Sequence, residues 1–247
     1  MNLARVLIIE TQPLVPLGSL GRPLVDAGIG ITYWRTGQET PPKSLAGFSG
    51  LIALGGAANP DQDDHYPWLI AERVLLADAL GQKIPTVGLC LGAELLAQIL
   101  GGNVYRLSRP EIGWFDFKPE PAVESDTLCN GSMHRFAAFQ WHSYGFDQPP
   151  ETARLAGTPQ ATQAFRWGAH AWGFQFHLEA NREIISSWVR KYPDSLYDNG
   201  LDAYELIEET GRRNKSYVQQ ATTTGRRFAR LVKAFASRTG GALRGAI

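Results

Sequence analysis

Over the first hundred residues short apolar runs alternate with stretches of helical periodicity, which restricts the chain to βαβ units around a mostly parallel sheet. Arg5–Glu10, Gly30–Arg35, Ser49–Leu54 and Ile84–Leu89 read as buried strands. A short helix fits around Leu17–Ala27, and a longer one fits residues 66–81, with Pro67 early and Gly81 as its stop. Cys90–Leu100 reads as a further helix, closed by Gly101 and Gly102. After residue 102 the texture changes to short aromatic-rich strands near 113–118, 136–142, 153–156, 163–168 and 171–177. Asn181–Lys191 and Leu201–Glu209 then read as helices, and no Pro/Gly/Ser linker divides the chain.

With 44% hydrophobic residues a sizeable core is available. No apolar run approaches the ~18 residues of a membrane helix. The run Val6–Ile9 is too short for a signal peptide, and two cysteines, Cys90 and Cys129, make no disulfide framework. The expected address is the cytoplasm. Net charge is zero, yet from Gly211 onward there are nine basic residues, Arg244 the last, and no acidic one. The body before Gly211 is correspondingly acidic. Phe228, Leu231, Val232 and Phe235 recur at helical spacing, so the basic tail is expected to bury an apolar stripe on its own body rather than to meet nucleic acid.

The strongest chemical signal is Ile84-Pro-Thr-Val-Gly-Leu-Cys-Leu-Gly-Ala-Glu-Leu-Leu-Ala97. A strand runs directly into a helix with one nucleophile, Cys90, at the junction between Gly88 and Gly92. This is the logic of a nucleophile elbow: the turn is sharp and glycine relieves the collisions beside it. The helix N-terminus is expected to lower the thiol pKa. In Trp172-Gly-Phe-Gln-Phe-His-Leu-Glu179, strand alternation points Gln175, His177 and Glu179 one way and Phe174, Phe176 and Leu178 the other. His177 then serves as proton-transfer partner to Cys90, with Glu179 orienting its ring. Gly55 and Gly56 close the third strand where backbone can approach a substrate, and the amides of Gly56 and Leu91 are candidates for an oxyanion hole.

On these residues the chain resembles the class I, or triad-type, glutamine amidotransferases. The nucleophile motif G-x-C-x-G-x-Q of that family matches Gly88, Cys90 and Gly92, and its H-x-E motif matches His177 and Glu179. The resemblance covers roughly residues 45–190. It is strongest to stand-alone proteins similar to the amidotransferase part of GMP synthase, whose W-H-x-D-x-F-x-L-P segment resembles Trp141–Pro150. It implies an α/β fold of three layers with an open, mostly parallel, flavodoxin-like sheet. It further implies attack of Cys90 on the side-chain amide of glutamine, a glutamyl thioester, and release of glutamate and ammonia. The ammonia would go to a synthase on another chain, and no metal or organic cofactor is implied.

The sequence departs from the pattern at three places. Glu94 stands where the motif has glutamine, Gly55-Gly-Ala-Ala-Asn replaces the usual Gly-Pro, and Tyr144 replaces the aspartate of the W-H-x-D segment. Glu94 is expected near the substrate's amino-acid end, with Arg109 a candidate to offset its charge. It opens the alternative of a γ-glutamyl peptide or amide hydrolase with the same triad; a catalytically silent regulatory subunit is a third reading. The expected organisation is an amidotransferase-like domain over 1–195 and a basic helical extension over 196–247 packed on it. Asp61, Asp63, Asp64 and His65 read as a solvated capping loop rather than a metal cluster. His134, His142 and His170 read as structural or rim residues, and Cys129 as inert.

Overall fold

The computed structural model describes residues 3–131 and 136–242. Its first half runs β1 (Arg5–Glu10), α1 (Gly21–Asp26), β2 (Gly30–Arg35), β3 (Gly50–Ala53), α2 (Trp68–Gly81), β4 (Thr86–Leu89) and α3 (Leu91–Ile99). The second half adds β5 (Val104–Phe117), β6 (Phe136–Phe146), β7 (Thr152–Gly157), β8 (Thr162–Trp167) and β9 (Ala171–Phe174). Three helices follow: α4 (Arg182–Lys191), α5 (Pro193–Asp198) and α6 (Ala203–Ala242).

The parallel half of the sheet has the order β2-β1-β3-β4-β9, which is the doubly wound order of flavodoxin. Beyond β9 the sheet turns antiparallel through β8, β6 and β5, with β7 also paired to β8. The result is an α/β fold with a mixed sheet. Strand alternation sets its layers: Val6 and Ile8 pack in the core under α1, α4 and α6, while Leu7 and Ile9 pack in the core under α2 and α3. Both faces of β1 are buried, which is why its sequence is a continuous apolar run.

The structure redraws four of the expected elements. β5 begins at Val104 rather than near 113, because its pairing with β6 carries on past a register shift between Arg106 and Glu111. The segment expected as a strand to residue 177 leaves the ladder after Phe174. Pro193–Asp198 forms the short helix α5. Leu201–Glu209 and the basic tail are one helix of 40 residues. Gly211 and Gly225 do not break it, although each costs about 1 kcal/mol against alanine. Burial outweighs them: Leu206, Thr210, Tyr217, Ala221, Thr224, Phe228 and Val232 form one buried stripe at helical spacing. Asp202 starts the helix, its Oδ1 accepting from the Glu205 N–H at 2.9 Å.

The basic residues of α6 meet the body through specific partners. Arg213 bonds Asp116 at 2.8 Å, Arg227 donates to the Leu128 carbonyl at 2.8 Å, and Lys233 donates to the Ala27 carbonyl at 3.1 Å. Among the described residues no helix is long and apolar enough to cross a membrane.

Candidate active site

Three adjacent parallel strands, β3, β4 and β9, end on the same edge of the sheet. Their following residues bring Gly55, Cys90 and His177 together there. Cys90 sits between β4 and α3 at φ 50° and ψ −110°, a left-handed conformation rare for a residue with a side chain. The two flanking glycines are spatial necessities. A Cβ on Gly88 would lie 2.4 Å from the Gly92 carbonyl oxygen, and one on Gly92 would lie 2.4 Å from that of Ala53. Strand, elbow and helix are therefore in backbone contact. Leu91 opens α3, so its amide is one of those with no acceptor inside the helix.

Past β9 the chain bends yet keeps the expected alternation. Phe174, Phe176 and Leu178 are fully buried in the core, whereas Gln175, His177 and Glu179 turn toward the site side. The ladder is replaced by individual bonds. The His177 N–H donates to Phe139 at 3.0 Å, the Glu179 carbonyl accepts from Ser19 at 2.8 Å, and the His177 carbonyl accepts from the Tyr217 hydroxyl at 2.8 Å. The His177 Nδ1–H donates to Glu179 Oε1 at 2.7 Å, and Trp188 packs edge-on against the ring at 4.6 Å between centroids. The ring lies close enough to the Cys90 thiol for each group to shift the ionisation of the other.

Gly55 lies behind this pair: a Cβ there would meet His177 Cε1 at 3.0 Å and the Cys90 Cβ at 3.1 Å. The Thr11 hydroxyl donates to the Gly55 carbonyl and so fixes the turn that presents Gly56. Gly56, Leu91, Cys90, Glu94 and His177 all line one cleft of about 240 Å³, a volume suited to a small molecule. Gly55 is not on its wall.

Glu94 is 3% exposed and does not turn outward. Its Oε1 accepts from Gln175 Nε2 at 2.9 Å. Tyr144, also lining the cleft, donates its hydroxyl to Asp61 Oδ2 at 2.9 Å and so ties the segment after β3 to β6. Arg73 secures that segment from α2, reaching Asp63 at 2.5 Å and the Pro60 carbonyl. Asp61 and Asp63 thus act as tethers. The capping expected of them is not made: α2 starts at Pro67 without a side-chain cap.

Burial pushes the Cys90 thiol up, His177 pulls it back, and the charges of Glu94 and Glu179 add to the rise. The net direction is opposite to the expectation from the helix N-terminus, because burial wins. Burial also opposes a charged His177, but Glu179 and the Cys90 sulfur outweigh it and hold the ring well above the histidine range. The two groups share their proton as a pair. Glu94 is raised by burial, with Gln175, His142 and His177 pulling it back.

Of the other candidates, His142 lines the cleft, its Nδ1 2.6 Å from the Tyr144 carbonyl and its Nε2 3.2 Å from Glu111. His170 packs on Trp167 away from it, and His134 lies outside the described residues. Cys129 is fully buried, and burial holds its thiol well above the ordinary value. Arg109 is exposed and is not on the cleft wall, so the structure does not use it to offset Glu94. Sequence reasoning does not single out Tyr217, Gln175 or Asp61 as site residues. Gln175 does carry a signal, since it shares the alternation that marks His177; the other two reach the site only through tertiary contacts.

Comparison with known proteins adds four findings. Residues 19–185 match the family model for glutamine amidotransferase class-I. The chain is 34% identical over 162 residues to the glutamine-hydrolysing GMP synthase of Aeropyrum pernix, covering 62% of this chain and 30% of that one. It is 30% identical over 116 residues to one of the subunits of the glutamine-hydrolysing GMP synthase of Sulfolobus acidocaldarius, covering 44% of this chain and 60% of the relative. It therefore spans less than two thirds of either relative's length. A crystal structure of a glutamine amidotransferase from Thermotoga maritima superposes with a TM-score of 0.82 at 28% identity, over 92% of this chain and 98% of that one.

Proposed function

Because this chain belongs to the class-I glutamine amidotransferase family, we propose that it hydrolyses the side-chain amide of glutamine through a thioester on Cys90. The observation that carries the reading is the pairing of a left-handed, strained cysteine with a histidine held by a carboxylate at 2.7 Å, on neighbouring strand ends of one cleft.

The Cys90 sulfur attacks the amide carbon while its proton passes to His177. The Gly56 and Leu91 amides donate to the oxyanion that forms. His177 then protonates the leaving nitrogen, which departs as ammonia and leaves the glutamyl thioester. Water attacks that thioester with His177 as base, the C–S bond breaks, and glutamate leaves. Glu179 is fully buried and acts by orienting His177 and stabilising its charged form. The Sulfolobus relative is named as one part of a GMP synthase, which supports a separate partner of the synthase type that accepts the ammonia. We place the reaction in the cytoplasm, an address suited to a chain whose two cysteines are both buried thiols.

The test is incubation of the purified protein with glutamine, with glutamate and ammonia quantified and the Cys90 acyl adduct trapped for mass spectrometry. Stoichiometric release of both products with a glutamyl mass on Cys90 supports the reading. A folded protein that releases neither overturns it.

A further inference from the structure

Around Glu94 the cleft carries buried carboxyl groups, and its basic groups are the imidazoles of His142 and His177. Glu94 lies one helical turn beyond Cys90 on α3, lines the cleft and is nearly fully buried. One of its oxygens is committed to Gln175, a neutral amide. Asp61 stands close enough to raise it further and is itself held by the cleft residue Tyr144. Among the described residues, no lysine or arginine lines the cleft; Arg106 and Arg109 of β5 are exposed outside it. The rings of His142 and His177 also line the cleft and partly offset Glu94, but each already has a carboxyl of its own, Glu111 at 3.2 Å from His142 Nε2 and Glu179 at 2.7 Å from His177 Nδ1.

A free amino acid brings an ammonium and a carboxylate of equal charge. A carboxyl such as Glu94 accepts from the first and repels the second when both are close. With both cleft imidazoles already paired to carboxyls, the favourable ligand keeps its cation and has its own anion removed.

We propose that the cleft selects a glutamine-type side-chain amide whose α-ammonium is free and whose α-carboxylate is masked as an amide or peptide bond, with Glu94 the residue that reads the ammonium. This rests on the reading of Cys90 as the nucleophile only for turnover; the charge preference is a property of binding. A ligand of this class places its ω-amide at Cys90 and its ammonium against the free oxygen of Glu94. Its masked carboxyl adds no charge to the acidic wall.

Binding and turnover are therefore measured separately. Cys90→Ala protein is titrated calorimetrically at neutral pH with glutamine, glutamine α-carboxamide and N-acetylglutamine. The α-carboxamide is expected to bind at least about tenfold more tightly than glutamine, with N-acetylglutamine the weakest. Adding Glu94→Gln is expected to shrink the first difference to within about twofold. Glutamine binding as tightly as its α-carboxamide, N-acetylglutamine matching the α-carboxamide, or no binding by any of the three overturns the proposal. Hydrolysis of the same compounds by unsubstituted protein tests the nucleophile. The expected binding order without turnover sinks the hydrolase reading and sustains the charge preference; turnover with the reverse order does the opposite.

Discussion

The Tyr217 hydroxyl, in the middle of the 40-residue helix α6, donates to the backbone carbonyl of His177 at 2.8 Å. Tyr217 is 2% exposed, and Trp114 packs edge-on against it at 4.9 Å. Residue 217 lies beyond the stretch matched by the family model, which ends at 185. The C-terminal helix thus holds the backbone of the candidate base. Tyr217→Phe keeps the ring and removes the bond. It is expected to lower kcat by roughly threefold to tenfold with KM unchanged. A change in KM alone, or no change in either constant, would show that the bond does not position His177.

The triad assignment makes unequal demands on its members. Cys90→Ser is expected to cut turnover by at least about a thousandfold while the fold and ligand binding persist. His177→Ala is expected to fail comparably, because groups acting as one unit do not contribute additively. Glu179→Gln should be roughly a hundredfold less damaging than His177→Ala, since it orients the ring without carrying the proton. Steady-state kinetics on the three variants check the ranking, and near-normal activity in Cys90→Ser removes it from the role.

At the elbow the prediction is about space. Gly88→Ala or Gly92→Ala puts a methyl 2.4 Å from a backbone oxygen and is expected to cost roughly 1–3 kcal/mol in urea unfolding. Gly81 on α2 has nothing within 4 Å of the corresponding position, so Gly81→Ala serves as the clash-free control and should lose no stability. Equal stability of all three proteins would mean that the strand–helix contact is not close-packed.

Glu94 predicts a pH dependence in substrate use. Burial raises its pKa, so the neutral acid, which can donate as glutamine does, persists above the ordinary carboxyl range. As pH rises through that raised value the group ionises and repels the substrate α-carboxylate. KM for free glutamine should therefore rise with pH in the unsubstituted protein. Glu94→Gln should lower that KM several-fold at the alkaline end and flatten the profile. Parallel profiles in the two proteins would exclude Glu94 as the cause.

A second buried carboxyl governs stability instead. Glu72 on α2 is fully buried, neither oxygen has a hydrogen-bond partner among the described residues, and burial lifts its pKa from 4.5 to about 8. Arg73 beside it opposes the rise without cancelling it. Between those two values the folded state binds the extra proton, so stability falls as pH climbs and levels off above about 8. The upper bound on the loss is about 5 kcal/mol. Glu72→Gln should remove this slope, measured as the difference in urea midpoints between mildly acidic and mildly alkaline buffer.

What the sequence revealed about this site was what the backbone decides locally. Gly88, Cys90 and Gly92 mark a strand-to-helix turn wherever they occur at that spacing, and His177 and Glu179 follow from side-chain alternation even though the ladder stops at Phe174. The core strands were equally visible because both their faces are apolar. What stayed hidden depends on chain segments far apart in sequence. Tyr144 meets Asp61 across 83 residues and Gln175 meets Glu94 across 81, and none of these pairs has a local signature. Propensity, being local, divides α6 at its glycines, whereas the stripe that holds the helix together takes its energy from the body it covers.

The order in which the site's parts are synthesised follows from the sheet. β4 and β9 are neighbours in space, yet β5 through β8 lie between them in the chain, and Tyr217 comes later still. At cellular translation speeds of about 5–20 residues per second, the gap between making Cys90 and making Tyr217 is roughly 6–25 seconds. For about the first two thirds of that interval His177 has not been made, and throughout it Tyr217, which holds the backbone of His177, is missing. The growing polypeptide thus carries the Cys90 thiol before its cleft exists, and the cleft is complete only once the segment through Tyr217 has emerged.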